Sequence, residues 1–197
     1  MWKGRGYVKP IVLEEVVIEA LADGVRLPEY VSEGDSGMDV RAREHKLMLP
    51  GETHLFKLGF KMAMPAHPWH DAGWRWECQA RPRSGVSAKT TLTMPNAPGT
   101  IDNFYSGELA IIMRNDAAPQ GTVCETVRSL DGRDILLSEL PPFLRPKAGT
   151  LPVGTVWVKP GDRIAQLVFA AIVRPHSLKV GVVEKRREGW FGSSGVE

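Results

Sequence analysis

Four stretches of this chain carry residue types suited to chemistry on an anion. The first, Gly34-Asp35-Ser36-Gly37-Met38-Asp39-Val40, sets two carboxylates ahead of a strand signal. Alone it reads equally well as a loop held by its aspartates bonding the backbone. The second, Pro82-Arg83-Ser84-Gly85-Val86-Ser87, puts an arginine and a hydroxyl where a short helical window, Ser84 to Thr90, begins. Arginine, serine and the N–H groups of a helix start all favour phosphate-type oxygens. As an ordinary turn it would use Ser84 as the cap and leave Arg83 in water. The third runs from Asn96 to Glu108 and reads as a hairpin with Asp102 near its mouth. A carboxylate fixed there could take a proton from water, although an Asp beside such a turn is common turn chemistry. The fourth is Arg186-Arg187-Glu188-Gly189-Trp190-Phe191-Gly192-Ser193-Ser194-Gly195, in which glycine N–H groups, hydroxyls and two arginines could wrap an anion. A polar, Gly-rich terminal segment is expected to be mobile unless tied down.

One further cluster has metal-ligand residue types: His67-Pro68-Trp69-His70-Asp71, followed by Cys78. Pro68 breaks any helical spacing and no paired ligand motif follows, so a surface loop with aromatic packing is the better reading than zinc.

Short, β-branched runs must position these stretches. They are Ile11 to Ile18, His54 to Met64, Glu108 to Met113, Thr155 to Val158, Ile164 to Val173 and Leu178 to Val183. Several alternate with period two, and turn signals such as Leu49-Pro50-Gly51-Glu52 and Lys159-Pro160-Gly161-Asp162 punctuate them. No window reads as a long amphipathic helix, so the expected class is all-β, a sandwich or jelly roll. Residues 116–152, with Pro119, Pro141, Pro142 and Pro146, read as a Pro-rich insertion between two strand signals.

Composition removes other classes. With 197 residues the chain is long enough for one domain with a real core. A net charge of +2 is too small for a nucleic-acid-coating surface. Two cysteines, Cys78 and Cys124, cannot frame a disulfide scaffold and fit free thiols in a reducing compartment. No apolar stretch suits a signal peptide or a membrane span. The expectation is a cytoplasmic globular protein with no membrane or nucleic-acid partner.

Order and spacing add what single motifs lack. Ser36-Gly37-Met38-Asp39-Val40, Pro82-Arg83-Ser84-Gly85, Asn96 to Glu108, Gly161-Asp162-Arg163-Ile164-Ala165-Gln166-Leu167 and Arg186 to Gly195 resemble, in order, the five motifs of the trimeric dUTPase family. The likeness covers most of the chain from about residue 28 onward, apart from 116–152. It implies a jelly-roll-like subunit (residues 1–185), a homotrimer with shared sites, and a closing arm (residues 186–197). The implied reaction is hydrolysis of dUTP to dUMP and pyrophosphate, with Mg²⁺ on the triphosphate. Asp102 would be the base that activates the water attacking the α-phosphorus. Tyr105 would pack under the deoxyribose, and Asn96 with the Gly99, Thr100 and Ile101 backbone would read uracil. Arg83, Ser84, Gly85 and Gln166 would hold the phosphates. Arg186, Phe191, Gly192, Ser193 and Ser194 would close the arm, with Phe191 over the base and Asp39 near Mg²⁺ through its water shell.

The chain departs from that pattern at Asp35, Met38, Ser106, Arg187 and Trp190, none of which carries the implied chemistry. Within the fold the rival is a dCTP deaminase or bifunctional deaminase; Tyr105 and the complete arm favour the hydrolase. A rival of another class is a nucleotide-switched trimer that engages a protein partner through 116–152.

Overall fold

The apolar run after Gly161 becomes the spine of the molecule. In the computed structural model, which describes residues 13, 15–65, 74–173, 175 and 177–181, that run is the 11-residue strand β15 (Arg163–Val173). It lies between β2 (Met38–Arg41) and the nine-residue β6 (Trp74–Pro82), antiparallel to both, and β8 (Gly99–Asp102) completes the sheet β2-β15-β6-β8. The turn that launches β15 needs its glycine. Gly161 has φ +89, Asp162 N–H donates to Lys159 O (3.1 Å), and Lys159 N–H donates to the Asp162 carboxylate (3.0 Å).

A second sheet, β4-β9-β7, joins Thr53–Lys57, Ala110–Asn115 and Leu92–Thr93. A two-stranded ribbon pairs β1 (Val17–Ala20) with β5 (Phe60–Ala63). Period-two side chains of these layers meet in one core that includes the fully buried Phe56, Leu58, Phe60, Ile111, Met113, Ile164 and Leu167. The all-β, jelly-roll-like class is as expected. Between β6 and β7 lies α1 (Ser84–Lys89), six residues long and the only α-helix among the described residues.

Four details differ from the sequence reading. The run His54 to Met64 is two strands, because Gly59 (φ +78) breaks the extended path and the Arg43 guanidinium occupies the space beside its Cα. Asn96 to Glu108 is not a ladder-paired hairpin: β8 pairs with β6 while β9 pairs with β4 and β7, so the segment crosses between sheets. Residues 178–181 of the run Leu178 to Val183 form no strand; 182 and 183 lie outside the described residues. Finally, the Pro-rich segment 116–152 carries strands that its sequence does not signal. Its β11 (Thr126–Ser129) pairs with β12 (Asp134–Leu136) and runs parallel to β14 (Val156–Val158), which pairs with β3 (Lys46–Met48). Between them β10 (Val123–Cys124) pairs with β13 (Leu151–Pro152). Val127, Leu137 and Leu140 bury a small core of their own against Leu47 and Trp157, which explains why this segment folds despite its prolines.

Candidate active site

The four expected motifs that lie within the described residues gather into two separate cavities. The first, about 490 Å³, is lined by Asn96, Thr100, Ile101, Asp102 and Tyr105, with Leu55, Ala110 and Ile112 from the neighbouring sheet as its apolar wall. Strand β8 is the edge of its sheet, so half of its backbone N–H and C=O groups face outward without a ladder partner. Such an edge can pair with a planar heterocycle as it would with another strand. Gly99 packs closely behind the cavity: a Cβ there would sit 3.1 Å from Asn96 Nδ2 and 3.4 Å from Ala80 Cβ. After Asp102 the chain turns sharply, Tyr105 N–H donating to Asp102 O (3.0 Å), and the Tyr105 hydroxyl donates to Glu108 O (3.1 Å). The ring thus lies over Gly107, fixed at both ends. Asp102 itself is exposed at the cavity rim.

The second cavity, about 360 Å³ and mostly polar, is lined by Asp35, Gly37, Asp39, Arg83, Ser84, Gly85, Arg163 and Gln166, among others. Register brings them together: Gln166 on β15 is opposite both Asp39 on β2 and Arg81 on β6. The Gln166 amide donates to Pro82 O (3.3 Å), above the turn that opens α1. There Arg83, not Ser84, is the N-cap residue, and no side chain caps the helix. The N–H groups of Val86 and Ser87 both bond Arg83 O, and the Ser84 hydroxyl has no role in capping. Asp39 is 6% exposed, and both its oxygens are taken: Oδ1 accepts from Arg83 Nε (2.7 Å) and Oδ2 from Arg163 Nη1 (3.1 Å).

Asp35 behaves as the loop reading anticipated, and Asp39 does not. Asp35 accepts the N–H groups of Val31 (3.0 Å) and Ser32 (2.9 Å) and the Ser32 hydroxyl (2.9 Å). Hydrogen bonds from the Ser32 backbone and side chain hold its carboxyl below the usual aspartate range. Two carboxylates and two guanidiniums line this cavity, so their formal charges cancel.

The two cavities share no lining residue. Asp102 pairs with Glu77, four residues along β6 from Arg81, and β8 stands three strands from β2. At about 4.8 Å per strand spacing and about 3.4 Å per residue, Asp102 and Asp39 are about 20 Å apart. A triphosphate cannot bridge that distance.

The motif pattern gives Arg163 no role, although it stands in the Gly161 to Leu167 motif. Its signal is positional: a register shift between Arg163 and Ala165 turns the arginine toward Asp39. Leu55, Ala110 and Ile112 could not be found from motifs, since they enter the site only through sheet packing. Arg186, Phe191, Gly192, Ser193 and Ser194 lie outside the described residues, as do His67 and His70. Among the described residues no group of three His, Cys, Asp or Glu side chains could cage a metal ion, and no helix is long and apolar enough to cross a membrane.

A family model described as dUTPase matches residues 23–124. The deoxyuridine 5'-triphosphate nucleotidohydrolase of Thermoanaerobacter sp. (strain X514) is 31% identical over 179 residues, covering 89% of this chain and 92% of that protein. The protein of the same name from Zymomonas mobilis is 32% identical over 183 residues, covering 91% and 96%. Among solved structures, Staphylococcus bacteriophage 80alpha dUTPase with dUpNHpp superposes with a TM-score of 0.76 at 28% identity, covering 93% of this chain and 99% of that one. A mutant dUTPase from phage phi11 of S. aureus, described as revealing the coordination of a structural Mg(II) ion, gives 0.71 at 28% identity, covering 86% and 99%.

Proposed function

We propose, on the premise that this chain belongs to the dUTPase family and is a dUTP nucleotidohydrolase, that it cleaves dUTP at sites built between subunits of a homotrimer. The observation that carries this reading is that the two cavities share no lining residue and lie on strands three apart in one sheet, which puts Asp102 about 20 Å from Asp39 by strand spacing. Base recognition and the general base reside in one, phosphate binding in the other, and only a neighbouring copy can bring the second beside the first.

In this account Asn96 and the outward groups of Gly99, Thr100 and Ile101 bind the uracil edge. Tyr105, anchored through its hydroxyl, occupies the space a 2′-hydroxyl would need. Asp102 takes the proton from a water that attacks the α-phosphorus, and the bond to the bridging oxygen breaks to release pyrophosphate and leave dUMP. From the neighbouring subunit, Arg83, Ser84, Gly85 and Gln166 align the phosphate chain.

The charge count explains why this is not sufficient. A neutral cavity cannot offset a triphosphate bearing several negative charges. Mg²⁺ on the triphosphate would supply that neutralisation and would need few direct protein ligands, which fits a cavity whose carboxylates are already engaged. Asp39, which lines the cavity, would be the carboxylate facing its water shell. Arg186 and Arg187 of the arm would add positive charge, Gly192, Ser193 and Ser194 would add donors, and Phe191 would stack on the base.

Pyrophosphate release measured across dUTP, dTTP, dCTP and UTP tests the reading. Activity confined to dUTP supports it; ammonia release from dCTP would indicate the deaminase instead.

A second role in protein recognition is favoured by exposed apolar residues on 116–152, with Phe143 74% and Val123 59% exposed. Similar phage 80alpha dUTPases are described as controlling transfer of virulence genes by a proto-oncogenic G protein-like mechanism. Loss of partner binding on Phe143→Ser, with dUTP hydrolysis unchanged, is the expected signature.

A further inference from the structure

We propose that Asp39 is a positioning residue that locks Arg83 and Arg163 into a single phosphate-receiving fork, and that Arg163 is a phosphate ligand in its own right. This rests on the reading of the polar cavity as the triphosphate site. Three observations carry it.

The first is the bonding of Asp39. Its carboxylate is buried to 6% exposure, where an unpaired charge would be costly, and each oxygen has a different guanidinium partner. The two arginines come from distant parts of the chain, the N-cap of α1 and the first residue of β15. Asp39 is therefore the joint that brings them to one place. An oxygen already accepting a charge-assisted bond at 2.7 Å is a weaker acceptor for a metal-bound water than a free one.

The second is which nitrogens are used. Arg83 gives Nε to Asp39, leaving both terminal Nη groups unengaged by it; Arg163 gives Nη1, leaving Nη2 and Nε. Both side chains line the cavity and are partly exposed, 26% and 38%. A guanidinium pinned along one edge presents the rest of its fork at a fixed angle, which suits planar, bidentate recognition of phosphate. Pinning also removes the rotamer entropy that a free arginine would lose on binding.

The third is the shape of the chain at Arg163. The register shift between Arg163 and Ala165 is the irregularity in the pairing of β15 with β2. It sits where β15 must turn one side chain toward Asp39 while Ile164 and Ala165 stay in the core, both at 0% exposure.

The test is titration of dUpNHpp and, separately, dUMP into wild type, Asp39→Asn, Arg163→Gln and the double variant, each over a range of Mg²⁺ concentrations, with thermal midpoints recorded. Each single variant should lose about tenfold or more in affinity for dUpNHpp, the worth of a charge-assisted contact, and change dUMP binding less than threefold. The double variant should lose less than the sum of the two single losses, since Asp39 acts in part through Arg163. Arg163→Lys should recover only part of the loss, because it restores the charge but not the fork. Should Asp39→Asn fail to fold, Arg163→Gln and Arg163→Lys carry the test alone. Additive losses in the double variant, or unchanged dUpNHpp affinity in Arg163→Gln, would overturn the proposal. So would a change in Asp39→Asn confined to the Mg²⁺ concentration needed for binding. If wild type itself fails to bind dUpNHpp, the triphosphate reading of the cavity falls rather than this one.

Discussion

The amide oxygen of Gln166 occupies the place where a side chain on Gly37 would begin: a Cβ there would lie 2.6 Å from Gln166 Oε1 and 3.1 Å from Val168 Cγ2. Gly37 therefore matters through what it leaves empty, since its φ does not lie in the left-handed region. Gly37→Ala should push the Gln166 amide off the turn at Pro82 while leaving the sheet paired. We expect KM for dUTP to rise about tenfold, the worth of one good hydrogen bond to a charged group, with the thermal midpoint nearly unchanged. Steady-state kinetics and a melting curve on the same preparation check both halves.

Gly107 and Tyr105 form the equivalent pair at the other cavity. A Cβ on Gly107 would meet Tyr105 Oη at 2.5 Å and Cζ at 2.7 Å, and a rigid ring cannot absorb that contact. Gly107→Ala should displace the ring and lower the dUTP-to-UTP preference between about ten- and a hundredfold, the effect of misplacing a positioning group by roughly 1 Å. Tyr105→Ala should act in the same direction. Competition assays with both nucleotides read the ratio directly; an unchanged ratio in either variant removes Tyr105 as the sugar filter.

Much of this arrangement was legible beforehand, for identifiable reasons. Asp102, Tyr105, Arg83 and Gln166 stand in motifs whose order is itself the signal, and β15 and α1 form where pattern and turn residues placed them. What stayed hidden depends on contacts far apart in sequence. Period-two alternation runs straight through Gly59 and cannot register a positive φ there. Seven residues separate β8 from β9, a length that suits a hairpin, yet their partners lie in different sheets. The prolines of 116–152 mask its strands because Leu137 and Leu140 find their partners, Leu47 and Trp157, only after folding. Arg163 was passed over because its neighbour Asp39 is 124 positions away.

The two thiols should behave differently. Burial, with the Glu77 charge as a lesser cause, pushes the Cys78 thiol up to about 12. Iodoacetamide at pH 8 should give one adduct per native chain, at the partly exposed Cys124, and a second only after denaturation. A thiol whose pKa is raised by folding stabilises the fold fully below its unfolded value, near 8.5, and that contribution is lost as pH climbs toward 12. Cys78→Ala should flatten the alkaline fall of the thermal midpoint above about pH 8.5; an identical alkaline profile would show that Cys78 does not contribute to it.

The claim that each site is shared between subunits has a direct test. Asp102→Asn and Arg83→Gln are each expected to be inactive as pure proteins, the first lacking the base and the second the phosphate ligand. Unfolding and refolding them together in equal amounts allows mixed assemblies, and pyrophosphate release from dUTP is then measured. If the base cavity of one subunit works with the phosphate cavity of its neighbour, random mixing leaves about one site in four with both residues intact. The mixture should recover about a quarter of wild-type activity. If each site lies within a single subunit, every site in the mixture lacks one residue or the other, and no recovery above the pure variants would contradict the shared-site account.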